Sequence, residues 1–258
     1  MTNARGFAQY VSLGDSMSID LYPALDAGET DVKVALEWDA RAGEVAPLGA
    51  ASLFFQNSDQ RYPEFAGRDL STRCAGITRL NLAEDGATIG DVFGFQLPAV
   101  QAADTPTLFT LSAGGNDLLS AFANKPDPAL LETVVRDIAD AFEFLVESLR
   151  RTRPDSAIIV TTVYDPSDKT RTIPGFFDAA GPLPLESLHA LNDRIASIAH
   201  ATPRCALADV HTHFQGHGVT APEAERWYWR RSFIEPGLRG ASEIRRLWLD
   251  ALATMHEN

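Results

Sequence analysis

Short apolar runs alternate along the chain with longer segments in which apolar residues recur at helical spacing. Runs of this length, bounded by polar or turn-forming residues, are typical of strands buried inside a domain. The runs lie at residues 7–13, 77–83, 107–113, 157–164 and 205–211, and the one at 77–83 is the weakest. We therefore predict five strands.

Helices are predicted between these strands. The clearest is at 128–152, where apolar residues form one stripe and prolines stand near both ends, and two more are predicted at 184–201 and 240–255. Strands separated by helices favour right-handed crossovers and a parallel sheet covered on both faces. We expect an α/β fold with a central, mostly parallel five-stranded sheet. No repeat or linker interrupts 1–258, so we expect one domain, with 22–75 as a long excursion near the site.

Composition and charge exclude some partners. The 258 residues carry a formal net charge of −13, which disfavours nucleic acid and anionic membranes, because both attract basic surfaces. No segment approaches the roughly 20 apolar residues of a membrane span, and the amino terminus lacks a secretory signal pattern. We expect a soluble, cytoplasmic protein, and the sequence does not indicate its oligomeric state. We expect Cys74 and Cys205 to be reduced thiols rather than a disulfide.

Candidate chemistry follows the predicted strand ends. Ser16 and Asn116 come after the runs 7–13 and 107–113, and Gly86 follows the run 77–83. Ligands of parallel sheets bind beyond the carboxyl ends of the strands. A serine hydroxyl becomes a nucleophile when a base removes its proton and hydrogen-bond donors hold the oxyanion. A backbone N–H at Gly86 and the amide of Asn116 are such donors.

These segments resemble a known family. "LGDSMS", "DGATIGD" and "AGGNDLL" are similar to the first three sequence blocks of the SGNH (GDSL-type) hydrolases, and the likeness covers the chain from about residue 7 onward except 22–75. The resemblance implies a flavodoxin-like, three-layer α/β/α fold. It also implies hydrolysis of esters, thioesters or carbohydrate O-acyl groups without metal or cofactor. Ser16 would be the nucleophile, and Ser16 N–H, Gly86 and Asn116 would form the oxyanion hole.

The last block departs from the family pattern. The family usually has Asp-x-x-His before the final helix, whereas this chain has Ser232 and Glu235 at those positions. One hypothesis is that a histidine of the loop "DVHTHFQGHG" replaces the missing base, because imidazole titrates near neutrality. His211, His213 and His217 are the candidates. We favour His217, whose glycine neighbours let the loop turn inward, with His213 next and with Glu235 or Asp209 orienting the ring.

Two further hypotheses keep the family fold. Glu235 itself could be the base, although an ordinary glutamate is over two pKa units less basic than imidazole unless burial raises its pKa. Alternatively, the protein has lost hydrolytic power and binds an acylated ligand or a carbohydrate. Asp117, Trp227 and Trp229 are candidate substrate-binding residues, because they stand beside the predicted site.

A metal-dependent alternative comes from the segment "ALADVHTHF". It is similar to the Asp-x-His-x-His motif of metal-dependent amidohydrolases, in which His211 and His213 would bind a divalent ion. In that barrel family the motif belongs to the first strand, but only some 45 residues follow it here. We therefore predict a metal-independent hydrolase that forms an acyl-enzyme on Ser16, with a small acyl ester or an acylated carbohydrate as substrate.

Overall fold

The computed structural model describes residues 6–37, 45–124, 127–175 and 181–255. Five strands form one all-parallel sheet in the order β2-β1-β3-β4-β5. They are β1 (Gln9–Gly14), β2 (Thr78–Asn81), β3 (Thr107–Ser112), β4 (Ala157–Thr161) and β5 (Cys205–Ala208). This confirms the predicted α/β fold. The strand order reverses between β1 and β3, and such a reversal opens a crevice at the carboxyl ends of the strands.

Helices cover both faces of this sheet. They are α1 (Leu21–Asp26), α2 (Val32–Glu37), α3 (Ala50–Phe55), α4 (Leu70–Arg73), α5 (Ile89–Asp91), α6 (Leu97–Ala99), α7 (Gly115–Ala123), α8 (Pro128–Thr152), α9 (Leu185–Ala201), α10 (Val210–His213) and α11 (Leu238–Met255). A π-helical turn at Val92–Gln96 joins α5 to α6. The three long helices agree with the predictions, and α11 begins two residues earlier than expected.

Two apolar cores lie on opposite faces of the sheet, because neighbouring strand residues point in opposite directions. Val11 and Phe109 pack with α7, α8 and α9, whereas Tyr10 and Leu108 pack with α3 and α11. Part of the predicted excursion 22–75 belongs to the second core, since α3 packs against α11. That part of the segment therefore contributes to the layer that covers the sheet, and none of its described residues lines the cavity discussed below.

A small antiparallel hairpin was not predicted. It consists of β6 (Tyr228–Trp229) and β7 (Ser232–Pro236), which lie just before α11. Its strands are too short and too aromatic to show an alternating pattern. The hairpin matters because β7 carries Glu235.

Glycine is required where β1 meets β3. Gly14 has φ +117°, and a Cβ at this position would lie 1.7 Å from the carbonyl oxygen of Ser112. Only glycine allows both this backbone conformation and this close approach. The tight contact fixes the end of β1, from which the next residues enter the crevice.

Within the described ranges, no helix is long and apolar enough to cross a membrane. Cys74 and Cys205 are both free thiols there, and neither is fully exposed. Burial raises the pKa of Cys205 to about 12.

Candidate active site

Ser16 lies two residues beyond β1, at the strand-order reversal. A buried glutamine anchors the backbone just before it: Gly14 N–H donates to Gln96 Oε1 at 2.7 Å, and Gln96 Nε2 donates back to Gly14 O at 2.9 Å. Gln96 is only 1% exposed. The sequence analysis did not identify Gln96, because its position in the π-helical turn is not visible in an apolar pattern.

The residues around Ser16 form a closed hydrogen-bond network. Asp15 N–H donates to Ser112 O at 3.0 Å, and Met17 N–H donates to the Asp15 carboxylate at 3.1 Å. The Ser18 and Ser112 hydroxyls lie 3.0 Å apart. Burial raises the pKa of Asp15 to about 7, although hydrogen bonds from Ser112 and Met17 oppose the shift. This network holds the loop in one conformation and leaves the Ser16 side chain at the cavity described below.

The structure brings Glu235 to Ser16. Both residues line the same cavity, each is 7% exposed, and the Ser16 hydroxyl lies near enough to the Glu235 carboxyl group to oppose the rise of its pKa. The second carboxyl oxygen, Glu235 Oε2, is buried and has no hydrogen-bond partner in the described part of the chain. Tyr164 fixes this part of β7, because its hydroxyl donates to Ile234 O at 2.6 Å.

The environment of Glu235 strongly favours its neutral form. Burial raises the pKa of Glu235 to about 8 and outweighs the opposing hydrogen bond from Ser16. The negative charges of Asp85 and Asp15 raise it further. Asp85 is itself held by Tyr22, whose hydroxyl donates to it at 3.0 Å.

The structure does not bring His211 or His213 to Ser16. His211 Nδ1 lies 3.1 Å from Val163 O. His213 Nε2 lies 2.9 Å from a carboxylate oxygen of Glu243 on α11. Both rings therefore have protein partners other than Ser16, and neither lines the cavity beside it.

His217, the favoured base in the sequence analysis, is also placed elsewhere. Its ring stacks on Trp227 with 3.7 Å between ring centroids and 6° between the planes. Its Nδ1 lies 3.0 Å from Glu225 O. Asp209 does not orient any of these rings, because its carboxylate caps α10 by accepting from Thr212 N–H at 3.1 Å.

The predicted oxyanion donors lie on two adjoining loops. Asn116, near the start of α7, donates from Nδ2 to Ala87 O at 3.0 Å, which ties this helix to the loop containing Gly86. One N–H of that amide is therefore used and a second remains. The backbone N–H groups of Ser16 and Gly86 have no acceptor among the residues described. Asp117 supports the same junction by accepting from Ile89 N–H at 3.1 Å.

A cavity of about 740 Å³, including its open mouth, begins at Ser16. Its polar end is formed by Ser16, Asn116 and Glu235. The rest of the wall is largely apolar and consists of Met17, Leu118, Leu119, Phe122, Val163, Tyr164, Pro166, Ile173, Leu183, Pro184, Leu185, Leu188 and Ile234, with Gly115 and the carboxyl groups of Asp15 and Asp165. In the part of the chain that the structure describes, no lysine, arginine or histidine lines the cavity.

Three predicted substrate-binding residues lie outside this wall. Trp227 and Trp229 are buried, the first against His217 and the second against Tyr22 with ring centroids 5.4 Å apart. Asp117 is bound to the backbone near Gly86. Contact of these residues with a substrate is therefore not supported by their positions.

No group of three or more His, Cys, Asp or Glu side chains is arranged to hold a metal ion in the ranges that the structure describes. The residues of the metal-like motif, Asp209, His211 and His213, instead each bond to other parts of the protein. The fold also lacks the barrel in which that motif functions.

Comparison with protein families places this chain. The model of the GDSL-like lipase/acylhydrolase family matches residues 42–229, nearly three quarters of the sequence. The chain therefore belongs to this family, and the resemblance to SGNH hydrolases is confirmed. The class is that of enzymes that hydrolyse ester bonds. The match does not include Ser16 or Glu235, so the roles of these two residues depend on the geometry above.

Solved structures with the same fold have low sequence identity to this chain. An extracellular lipase from Streptomyces rimosus is 19% identical with a TM-score of 0.56, over 96% of this chain and 99% of the lipase. A phospholipase A1 from Streptomyces albidoflavus is 16% identical with a TM-score of 0.56, over 97% and 100%. An acetylxylan esterase from Geobacillus stearothermophilus is 15% identical with a TM-score of 0.57, over 96% and 95%. A comparison with curated protein sequences found no match.

Proposed function

We propose that this protein hydrolyses carboxylic esters with Ser16 as nucleophile and Glu235 as the general base. The observation that carries the proposal is that Ser16 and the buried Glu235 line the same cavity, with no cationic side chain among the described residues that line it. No imidazole occupies this position in the described structure. Family membership supports the reaction class, and the local geometry supports the choice of residues.

The strength of Glu235 as a base follows from its burial. A general base works best when its pKa is close to the operating pH. An ordinary glutamate is too weak, but a pKa of about 8 makes the Glu235 carboxylate at least as basic as a free imidazole. The condition that the sequence left open, burial of the carboxyl group, is therefore met.

The reaction proceeds in two halves. Ser16 Oγ forms a bond to the acyl carbon while Glu235 accepts the hydroxyl proton. The tetrahedral intermediate then collapses, its bond to the alcohol oxygen breaks, and Glu235 gives the proton to the departing alcohol. In the second half, water loses a proton to Glu235 and attacks the acyl carbon. The bond to Ser16 Oγ then breaks, Glu235 returns the proton to Ser16 Oγ, and the acid is released.

The oxyanion is stabilised by groups that are fixed before the substrate binds. Ser16 N–H, Gly86 N–H and the free N–H of the Asn116 amide are the available donors. A preorganised donor of this kind contributes about 3–4 kcal/mol to the transition state. Gln96 and Asp117 act as positioning residues, because each binds the backbone of a donor loop rather than the substrate.

The nucleophile is tested with a matched pair of serines. Ser16→Ala is expected to abolish turnover of a 4-nitrophenyl ester and to prevent covalent labelling by a fluorophosphonate, read by mass spectrometry of the peptide. Ser120→Ala removes an exposed hydroxyl of α7 that does not line the cavity and is expected to keep both activities. Labelling at any other residue, or equal loss in both variants, would refute the role of Ser16.

The base is tested by comparing Glu235 with the loop histidines. Glu235→Gln is expected to lower kcat/KM by about 10²–10⁴-fold, the usual contribution of a general base. His213→Ala and His217→Ala are expected to change it less than about threefold, after correction for the folded fraction. If either histidine variant matches the loss in Ser16→Ala while Glu235→Gln remains active, the base is an imidazole and this assignment is wrong.

A further inference from the structure

The cavity beside Ser16 has one polar end and a larger apolar body. Ser16, Asn116 and Glu235 stand together at the end, and the other polar lining groups are already occupied. The Asp165 carboxylate accepts from Ser167 Oγ at 2.6 Å and from Lys169 N–H at 2.8 Å. A bound ligand therefore finds hydrogen-bonding groups at the reacting centre and almost none beyond it.

The apolar body lies between two helices of the same covering layer. α7 contributes Leu118 and Phe122, and the beginning of α9 contributes Leu185 and Leu188. All four side chains are buried and belong to the first core described above. The cavity thus penetrates the apolar layer instead of running along a polar surface, which favours a chain of methylene groups over a sugar ring.

The charges of the lining residues further limit the classes of ligand that the cavity can bind. Among the described residues, the lining includes Asp15, Asp165 and Glu235 and no lysine, arginine or histidine. A carboxylate or phosphate placed inside would therefore lack a counter-charge and would lie close to acidic groups. An acetylated sugar would lose its hydration without gaining enough hydrogen bonds in return.

From this arrangement we infer that the cavity binds the acyl chain of an uncharged aliphatic ester, and that the preferred acyl group is longer than acetyl. The inference rests on the proposed function only in placing the acyl carbon at Ser16. The inference excludes a preference for acetylated carbohydrates. It also identifies the lining residues that would determine the preferred length of the acyl chain.

The first test is an acyl series on one leaving group. Each methylene that enters an apolar cavity is worth up to about fourfold in kcat/KM. We expect kcat/KM for 4-nitrophenyl hexanoate to exceed that for the acetate by at least tenfold. We expect the monoester of glutaric acid, whose acyl group carries a carboxylate, to fall at least tenfold below the pentanoate of equal chain length. An optimum at acetate, or an acetylated xylo-oligosaccharide as the better substrate, would overturn the inference.

The second test changes the cavity itself. Leu188→Ala enlarges it and is expected to raise the ratio of kcat/KM for decanoate over butanoate, whereas Leu188→Phe fills it and is expected to lower that ratio at least fivefold. Leu191→Ala is the matched control, because Leu191 is a buried leucine of α9 that does not line the cavity. A shift in the control equal to that in Leu188→Ala would show that general loosening, not the cavity wall, sets the preference.

Failure of catalysis and failure of this inference give different results. Without Ser16-dependent turnover, the proposed function fails, and the cavity is then tested by calorimetric binding of methyl octanoate to the full chain and to Leu188→Phe. Binding that the substitution weakens at least fivefold supports the cavity assignment alone. Normal turnover with no dependence on chain length, or absent binding in the inactive case, contradicts it.

Discussion

The pKa values of two glutamates near the carboxyl end of the chain are shifted in opposite directions by their surroundings. Glu243, on α11, lies 2.9 Å from His213 Nε2 and 2.9 Å from Arg246 Nε. Burial raises its pKa, but these two hydrogen bonds and their positive charges prevail and lower it to about 2. Glu235, eight positions earlier, lines the cavity with Ser16, and no described basic residue lines it with them. Its pKa is raised to about 8, mainly by burial.

The comparison assigns a structural role to Glu243 and supports the catalytic role proposed above for Glu235. The Glu243 carboxylate, which is bonded to His213 and Arg246, ties α11 to the segment after β5 and is satisfied by the fold. A buried carboxyl group without such partners destabilises the protein when it ionises, so its position beside a hydroxyl points to a role outside folding. His213, the second choice of base in the sequence analysis, belongs to the structural pair, whereas the favoured His217 stacks on Trp227.

The largest expected difference between the two glutamates is in activity. Glu235→Gln removes the group that accepts the Ser16 proton and is expected to reduce kcat/KM by about 10²–10⁴-fold. Glu243→Gln breaks a pair remote from the cavity and is expected to reduce it less than about threefold. Initial rates on 4-nitrophenyl hexanoate at pH 9 measure both. Equal losses would show that the two sites do not differ in function.

The next difference is in stability, with opposite dependence on pH. Between about pH 4.5 and pH 8, the folded protein keeps a proton on Glu235 that the unfolded chain releases, so this group lowers stability as the pH rises. Relative to the wild type, Glu235→Gln is expected to gain on the order of 3 kcal/mol between pH 5 and pH 9.

Glu243 is expected to behave in the reverse way. Its depressed pKa stabilises the fold above about pH 4.5, and this contribution disappears as the pH falls toward 2. Glu243→Gln should therefore be destabilised at pH 7 and approach the wild type in acid. Urea unfolding of both variants across this range measures the free energies, and a gain for Glu243→Gln at pH 7 would contradict the comparison.

A smaller effect is expected from restoring the family's usual last block. The double variant Ser232→Asp, Glu235→His places an aspartate and an imidazole where most SGNH hydrolases have them. Imidazole ionises near pH 6.5, so the pH at which kcat/KM reaches half its maximum should move down by about one unit or more. Activity at pH 6.5 should rise about tenfold over the wild type. An unchanged midpoint would mean that position 235 does not set it.

The smallest expected effect concerns the acidic neighbour of Glu235. Asp85 is exposed, and its charge helps to raise the pKa of Glu235. Asp85→Asn keeps an oxygen for the Tyr22 hydroxyl and should lower the midpoint of the pH profile by about half a unit, because exposed charges are screened. Asp104→Asn, an exposed carboxylate that does not act on Glu235, is the control. A shift of equal size in the control would point to net charge alone.

The sequence predicts the frame of the site but not its acid–base partner. The strands that precede Ser16 and Asn116 can be predicted because each buried apolar run is followed directly by a short polar segment. The same reasoning placed the loop histidines at the same sheet edge, which is correct for their backbone. It could not show that Glu243 and Trp227 take up the rings of His213 and His217, because these contacts join segments far apart in sequence or depend on ring stacking.

The residues that line the cavity could not be predicted from the sequence either. The aromatic composition around Trp227 and Trp229 suggests a substrate-binding surface, but both side chains are buried in the fold. The wall comes instead from apolar residues of α7 and α9 that look like ordinary core positions, such as Phe122 and Leu188. Only the three-dimensional arrangement shows that the layer between these helices is open toward Ser16.

The pH dependence of kcat/KM tests the central claim most directly. Measured from pH 5 to pH 10 on the uncharged ester 4-nitrophenyl hexanoate, kcat/KM is expected to rise with a single midpoint near 8, because only the ionised Glu235 accepts the Ser16 proton. The residual activity of Glu235→Gln should lack this midpoint. A rise centred between pH 6 and pH 7 that persists in Glu235→Gln and vanishes in His213→Ala or His217→Ala would contradict the account.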